Sequence, residues 1–225
     1  MSLTLYLHPL ASFCHKVLIA LYEKDAPFSV KIVDLGYPAA SAAFLALWPV
    51  GKIPLLHDDR TNRTVPETSI IIDYLDRRLP GTTPLIPADP EDALEVRLWD
   101  RFFDLYVNTP MAKVVTDRIR PEGRNDPHGV AEARAMLKTA YGMAERHMTG
   151  RAWAAGENFS MADCAAAPAL FYAECVQPFS GTHPNLAAYF DRLAERPSFR
   201  RTLDEARPYF DLFPYREDIP ERFLT

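Results

Sequence analysis

The sequence lacks the features that mark several large classes of protein. Its 225 residues include only 9 glycines, and they form neither a phosphate-binding loop nor a dinucleotide-binding fingerprint. The six histidines and three cysteines are scattered, with no pair at the spacing of a zinc site. We therefore expect no nucleotide cofactor and no metal.

Long hydrophobic runs are also missing. No window approaches the ~18 apolar residues that a membrane span needs, and the start at Met1 lacks the basic region and apolar core of a secretory signal. Three cysteines are too few for a disulfide scaffold and fit a reducing compartment. A net charge of −5 disfavours nucleic-acid binding, which depends on Lys and Arg. We expect a cytoplasmic protein that binds no membrane and no nucleic acid.

The N-terminal part of the chain alternates between strand and helix patterns. Residues 3–7 form a short apolar run typical of a buried strand, residues 13–24 keep helical spacing, and residues 28–34 alternate with period two. Ser12 precedes the helix and is expected to cap it. The full order, βαβαββα, predicts one α/β unit whose first two strands are parallel.

A proline-rich segment then divides the chain. Residues 80–90 contain four prolines, which remove backbone donors and block helix formation. Beyond this segment only helical patterns follow, among them a long one over 91–118 that should bend at Pro110. The sequence therefore predicts an α/β domain over 1–79, a linker over 80–90 and an all-helical domain over 91–225.

Two short motifs in the α/β unit have features of a binding site. Ile53 and Pro54 follow Gly51 at the start of a strand, where a cis peptide bond would turn the backbone of Ile53 outward; an ordinary loop is the alternative. Glu67 and Thr68 open a helix, where an acid and a hydroxyl suit capping. The same helix start also suits a ligand carboxylate on the open N–H groups and an amine beside Glu67.

Together these motifs resemble the cytosolic glutathione S-transferase family, and the resemblance covers nearly the whole chain. It implies a thioredoxin-like N-terminal domain, an all-α helical-bundle C-terminal domain, a homodimer, and glutathione as the co-substrate. The motifs that show it are Ser12-Phe13-Cys14, Gly51-Lys52-Ile53-Pro54, Glu67-Thr68, the proline-rich linker and Ser160-Met161-Ala162-Asp163.

The resemblance also implies roles for individual residues. Ile53, beside Pro54, and Thr68 would hold the tripeptide backbone and the γ-glutamyl carboxylate. Glu67 would lie near the γ-glutamyl amine. Lys52 or His15 would approach a terminal carboxylate.

At the catalytic position the sequence departs from the family. The position usually occupied by Ser or Cys falls on Ala11, whose side chain cannot donate a hydrogen bond, and Ser12 and Cys14 follow it. Three interpretations remain open. Ser12 stabilises the glutathione thiolate, or Cys14 forms a mixed disulfide with glutathione, or Ser12 only caps the helix and Cys14 is a buried hydrophobe.

The second substrate is expected to be a small hydrophobic electrophile in a pocket between the two domains. An aromatic stripe at helical spacing is more often core than pocket, so only part of the candidate set is expected to face the substrate. The candidates lie in the first strand–helix loop and on helix 91–118: Leu10, Phe13, Phe102, Phe103, Tyr106, Val107, Asn108 and Met111.

The leading functional hypothesis is conjugation of the glutathione thiolate to this electrophile. A glutathione-dependent thiol or peroxide reductase acting through Cys14 is an alternative. A glutathione-dependent isomerase and a binding protein without catalysis, the latter suggested by Ala11, are the others.

Overall fold

The computed structural model describes residues 3–34, 38–79 and 83–224, so positions 80–82 of the predicted linker lie outside the described residues. Four strands and a series of helices follow one another in the predicted order. They are β1 Leu3–Leu7, α1 Ser12–Glu23, β2 Ser29–Ile32, α2 Pro38–Leu47, β3 Leu55–Asp58, β4 Arg63–Pro66, α3 Thr68–Arg78, α4 Pro90–Phe102, α5 Thr109–Arg118, α6 Pro127–His147, α7 Met161–Val176, α8 Pro184–Ala194 and α9 Pro197–Ala206.

The four strands form one mixed sheet in the order β2-β1-β3-β4. β1 pairs with β2 in parallel, as predicted for strands joined by a crossover helix, and β3 pairs antiparallel with β1 and with β4. This sheet with its helices is a thioredoxin-like domain, and the chain beyond it is mostly helical. The predicted fold class is confirmed.

The start of α1 differs from the expectation. Ser12 was expected to cap this helix, but Ser12 is already its first residue, and the cap position falls on Ala11. Ala11 is extended, with φ −79° and ψ 116°, and its carbonyl accepts from Cys14 N at 2.8 Å and His15 N at 3.1 Å. The Ser12 hydroxyl therefore belongs to the first turn and makes no capping hydrogen bond. The capping prediction is wrong by one residue.

The predicted bend at Pro110 takes the form of a wide helical turn. Residues Phe103–Asn108 form a π-helical segment between α4 and α5. Pro110 has no N–H to donate to a carbonyl in the preceding turn, so the regular α-helical ladder is interrupted here. The hydroxyl of Thr109 donates a hydrogen bond to the backbone carbonyl oxygen of Asp104 at 2.9 Å. This carbonyl has no α-helical donor. Such π segments occur frequently at functional sites.

The helical part packs directly against α1. Ile19 and Ala20 of α1 belong to the same buried cluster as residues of α4, α6 and α7. At the other end of α1, Glu23 accepts hydrogen bonds from Arg196 at 2.8 and 2.7 Å and from Ser198 at 2.5 Å. α1 is therefore shared between the sheet and the helical bundle, and its N-terminal turn is held between them.

The start of α7 is fixed by a capping box, as the sequence indicates. Ser160 N donates to Asp163 Oδ2 at 2.8 Å, and the same carboxylate accepts from Ala154 N at 2.9 Å and Tyr189 Oη at 2.6 Å. Burial raises the pKa of Asp163, and these donors oppose the rise.

Among the helices of the described ranges, none has the length and apolarity to cross a membrane.

Candidate functional site

The structure brings five of the predicted glutathione-binding residues, Lys52, Ile53, Pro54, Glu67 and Thr68, together at one groove of about 220 Å³ between the sheet domain and the helical part, whereas Ser12 and His15 do not line it. One wall is formed by the N-terminal ends of β3 and α3, and the other wall is formed by the π segment. The groove is lined by Phe13, Trp48, Lys52, Ile53, Pro54, Glu67, Thr68, Arg101, Asp104, Leu105 and Thr109.

One wall of the groove follows a tight turn. The Ile53–Pro54 peptide bond is cis, which confirms the prediction. Gly51 has φ +70°, and a Cβ there would lie 3.0 Å from a carbon of Leu45. Glycine is therefore required at this turn, because another residue would be strained in this conformation. Lys52 is exposed at the edge of the groove.

The start of α3 presents open backbone donors to the groove. Glu67 has φ 67° and ψ 120°, a strained conformation for a non-glycine residue, and its side chain makes no capping hydrogen bond. In the described ranges, no acceptor takes the backbone N–H of Thr68 or Ser69. Thr68 is buried and lines the groove. A helix start with free N–H groups and a positive dipole end is suited to a carboxylate.

A buried cluster of charged side chains contacts the start of α3 through Ser69. Lys16 Nζ lies 2.6 Å from Asp100 Oδ1 and 2.8 Å from Asp104 Oδ2, and Lys16 is 1% exposed. Ser69 Oγ donates to Asp100 at 2.6 Å and accepts from Lys16 at 3.0 Å. Arg101 adds a second cation 3.0 Å from Asp104. The cluster connects α1, α3 and α4.

Asp104 is the member of this cluster that lines the groove. Burial raises the pKa of its carboxyl, while Lys16 opposes that rise. Lys16 and the half-exposed Arg101 together balance the charges of Asp100 and Asp104. The carboxylate of Asp104, which lines the groove, is suited to a ligand ammonium group.

A second, apolar pocket of about 280 Å³ is lined in part by the first turn of α1. Ser12 lines the pocket and Phe13, the next residue, lines the groove. No Asp, Glu, Lys or Arg is among the residues that line the pocket. They are Leu10, Ala11, Ser12, Met111, Ala112, Val115, Thr116, Tyr172, Leu212, Phe213 and Pro214.

Comparison with known proteins identifies the family. Residues 11–78 match the glutathione S-transferase N-terminal domain, and residues 104–197 match the glutathione S-transferase C-terminal domain. Glutathione S-transferase 3 of Zea mays is 30% identical over 208 residues, which cover 89% of this chain and 93% of the maize protein. The chain belongs to the glutathione S-transferase family.

Two further proteins show the range within this family. FtsZ-localized protein A of Caulobacter vibrioides is 29% identical over 217 residues, covering 91% of this chain and 92% of that protein. The crystal structure of a glutathione S-transferase from Methylobacillus flagellatus KT with glutathione bound superposes with a TM-score of 0.81 at 27% identity. The match covers 89% of this chain and 98% of that one.

Two residues of α1 in this glutathione S-transferase family member are less accessible than the sequence suggested. Cys14 is fully buried, and burial raises the pKa of its thiol to about 12. His15 is also fully buried, with Nε2 2.5 Å from the carbonyl of Pro9, and burial lowers its pKa to about 4. His15 therefore does not approach a ligand carboxylate, and Lys52 is the one of the two predicted cations that lies at the groove.

The predicted pocket residues are distributed over different environments. Leu10 and Met111 line the apolar pocket, and Phe13 lines the groove. Phe103 is fully buried against Trp99 and so faces no ligand.

The four other candidates, all from the predicted helix 91–118, also lie outside both cavities. Tyr106 is 46% exposed, with its ring edge on Phe102, which is itself buried in the core. Val107 is fully buried. Asn108 is 3% exposed, and neither its amide nitrogen nor its amide oxygen has a hydrogen-bond partner in the described ranges.

Several lining residues were missed from the sequence. Trp48, Arg101 and Asp104 reach the groove from segments outside the recognised motifs. One signal was available, since Lys16 interrupts an otherwise apolar helix, and a buried lysine requires acidic partners. The residues Leu212, Phe213 and Pro214 of the C-terminal tail carried no comparable signal.

Proposed function

We propose that this protein binds glutathione in the groove and transfers its thiolate to a small, uncharged, hydrophobic electrophile in the apolar pocket. One observation carries the proposal: two consecutive residues of the first turn of α1, Ser12 and Phe13, line the apolar pocket and the groove, respectively. A tripeptide in the groove would thus present its sulfur to a molecule in the pocket.

The groups of the groove match the charged ends of glutathione. The γ-glutamyl carboxylate would take the free N–H groups and the hydroxyl at Thr68, and its ammonium would lie near Glu67 and Asp104. Lys52 would attract the glycine carboxylate, and the backbone of Ile53 would pair with the central cysteinyl residue. The Methylobacillus flagellatus relative, whose structure contains glutathione, supports this assignment.

Thiolate formation requires a modest amount of stabilisation. Lowering a thiol pKa by two units takes about 2.7 kcal/mol. A hydrogen bond to a charged group supplies roughly 1.5–3 kcal/mol, and a helix N-terminus adds about 0.3–1 kcal/mol. Ser12, in the first turn of α1, is the side chain that we propose as donor. The thiol proton goes to water, a C–S bond forms, and the electron pair goes to the leaving group or to the conjugated acceptor.

The proposal is tested by binding and turnover in one preparation. Trp48 lines the groove, whereas Trp99 and Trp153 do not, so we expect glutathione to change the fluorescence of the protein and the Trp48→Phe variant to lose that change. Calorimetry measures the affinity independently of the probe. Thiol consumption is then followed with chlorodinitrobenzene and with α,β-unsaturated ketones. Absence of glutathione binding at millimolar concentration would reject the proposal.

A binding protein without catalysis is the second candidate. It is favoured by Ala11 at the position usually occupied by Ser or Cys, and the relationship to FtsZ-localized protein A is compatible with it. Binding of glutathione without turnover of any electrophile would support this candidate. The reductase alternative requires an accessible Cys14, and the burial of this thiol disfavours it.

We further propose that two copies form a homodimer through α3 and α4. Ile70 is 57% exposed, and Leu94 and Leu98 are 61% and 60% exposed. The two helices are adjacent, since Arg97 Nη2 lies 4.0 Å from Asp73 on α3. An exposed apolar face of this kind suits a second copy. Sedimentation equilibrium of the wild type and of Leu98→Glu tests it, and a monomeric wild type would reject the dimer.

The cellular location is also a proposal. Cys14, Cys164 and Cys175 are free and buried, as expected for a protein in a reducing compartment. A reduced glutathione pool is needed for the proposed reaction. We therefore propose the cytoplasm, which fractionation of cells that express the protein would test.

A further inference from the structure

Some buried polar side-chain atoms of the described residues have no hydrogen-bond partner. Among the described residues, side-chain nitrogen or oxygen atoms of this kind occur at His15, Asp100 and Asn108. Asp100 Oδ1 is nevertheless paired electrostatically with Lys16 at 2.6 Å, and His15 uses its other ring nitrogen. Asn108 is the residue of the three whose side chain has no partner at either atom.

Asn108 lies between the groove and the apolar pocket. Leu105, which precedes it, and Thr109, which follows it, line the groove, whereas Met111 and Ala112, about one turn further along the chain, line the pocket. The side chain is in the final position of the π segment. Asn108 itself lines neither cavity, but its neighbours along the helix line both of them.

The same residue lies level with the first turn of α1. Lys16 contacts Asp104, and Ser12, one turn before Lys16, shares the apolar pocket with Met111. α1 thus runs antiparallel to the π segment and α5. Moving one turn forward along the chain from Asp104 to Asn108 therefore corresponds to moving one turn back along α1, from Lys16 to Ser12. That turn is where the proposed function places the glutathione sulfur.

A structural role as a helix cap does not explain the amide. The backbone of Asn108 is helical, with φ −68° and ψ −44°, and its side chain makes no capping bond to α5. Pro110, two residues on, has no N–H to offer to a capping oxygen. A buried amide without partners destabilises the folded protein. Because it has no hydrogen bond to break, it can also rotate toward a ligand at little cost.

We propose that the side-chain amide of Asn108 donates a second hydrogen bond to the glutathione sulfur, in addition to that of Ser12, and so helps to stabilise the thiolate at the site where Ala11 has no donor. This inference rests on the proposed function. In the step, the S–H bond breaks, the proton passes to water, and the electron pair stays on sulfur, facing Nδ2–H. No bond of Asn108 changes, and no oxidant or reductant takes part.

The test compares Asn108→Leu, which removes the donor at similar volume, with Asn108→Gln, which keeps an amide. The pKa of the bound thiol is measured from thiolate absorbance in a pH titration of the complex. We expect Asn108→Leu to raise this pKa by about one unit or more and to lower kcat/KM at neutral pH about tenfold or more. Asn108→Gln should retain part of the stabilisation of the thiolate and part of the kcat/KM of the wild type.

Two controls separate donation to sulfur from a structural role. S-methyl glutathione has no thiol proton, so its affinity should be the same in the wild type and in Asn108→Leu. The Tm of Asn108→Leu should equal or exceed that of the wild type, because an unpartnered amide is replaced by an apolar group. If Asn108→Leu fails to fold, Asn108→Ala is measured in the same way.

The titratable groups near this turn are unchanged by the substitution, so the difference between wild type and variant reports on Asn108. These groups are His8, Cys14, His15, Lys16, Asp100, Arg101, Asp104 and Tyr172. A thiol pKa and a kcat/KM that stay at the wild-type values in Asn108→Leu would overturn the inference while leaving the proposed function intact. Failure of the wild type to bind glutathione would remove both.

Discussion

Lys16 Nζ lies 2.6 Å from Asp100 Oδ1, and this buried ion pair joins the first helix of the sheet domain to the first helix of the helical part. Both side chains are 1% exposed. A buried lysine is stable only when acidic groups compensate its charge. Asp104 and Ser69 complete the cluster. The cluster therefore fixes the position of Asp104, which lines the groove, relative to α3.

The first prediction concerns this cluster. Lys16→Met leaves two buried carboxylates without their cation, and we expect it to lower the free energy of unfolding by about 3–5 kcal/mol. Urea unfolding followed by tryptophan fluorescence measures the change. The triple variant with Asp100→Leu and Asp104→Leu should recover much of the loss, because an apolar replacement removes the unpaired charges. A single variant as stable as the wild type would contradict the prediction.

The second prediction is an acid-dependent loss of stability through His15. Burial lowers its pKa in the folded protein to about 4 from its ordinary value of 6.5. Between these two values the unfolded chain binds more protons, so the free energy of unfolding falls as the pH drops from 6.5 to 4. The full contribution is roughly 3 kcal/mol, at 1.36 kcal/mol per pKa unit.

His15→Gln tests this dependence because the glutamine amide can still donate to the carbonyl of Pro9 without titrating. We expect the variant to flatten the acid limb of the stability curve measured by urea unfolding. His128→Gln, at an exposed position on α6, is the matched control and should leave the curve unchanged. An unaltered acid limb in His15→Gln would show that other groups cause it.

The third prediction concerns the start of α3. Thr68→Val removes the hydroxyl that we assign to the γ-glutamyl carboxylate, and a hydrogen bond to a charged group contributes roughly 1.5–3 kcal/mol. The Kd for glutathione measured by calorimetry should therefore increase about tenfold to a hundredfold. Thr139→Val, exposed on α6, should bind as the wild type does. Equal affinities in the two variants would place the carboxylate elsewhere.

The fourth prediction concerns the cysteines. Because Cys14 is fully buried with its pKa raised to about 12, a thiol-specific reagent should label it slowly in the native protein and quickly in urea. Cys14→Ala should conjugate glutathione at the wild-type rate. A fast-reacting native thiol that disappears in Cys14→Ala would revive the disulfide-exchange hypothesis.

Much of the fold was predictable because local patterns and tertiary packing agree. The apolar run at 3–7 became the central strand β1, and Gly51 and Pro54 marked the turn with the cis peptide bond. The domain boundaries at 79 and 91 stay predictions, since part of the linker lies outside the described residues. The start of α1 was misplaced by one residue because Ala11 and Ser12 both suit the end of a loop.

The site was less predictable because its walls come from distant parts of the chain. Phe103 and Met111 share the same helical stripe, yet Phe103 is buried against Tyr189 of α8 while Met111 lines a cavity. Helical periodicity shows that a face is apolar, but it does not show what packs against that face. The tail residues at 212–214 close the pocket from a segment with no regular pattern.

The turn of α1 that lines both cavities has a consequence for ligand binding. Ser12 and Phe13 are neighbours in one peptide unit, so a ligand that immobilises one of them also restricts the other. Occupation of the two compartments is then thermodynamically linked, and each molecule should strengthen the retention of the other by the same factor.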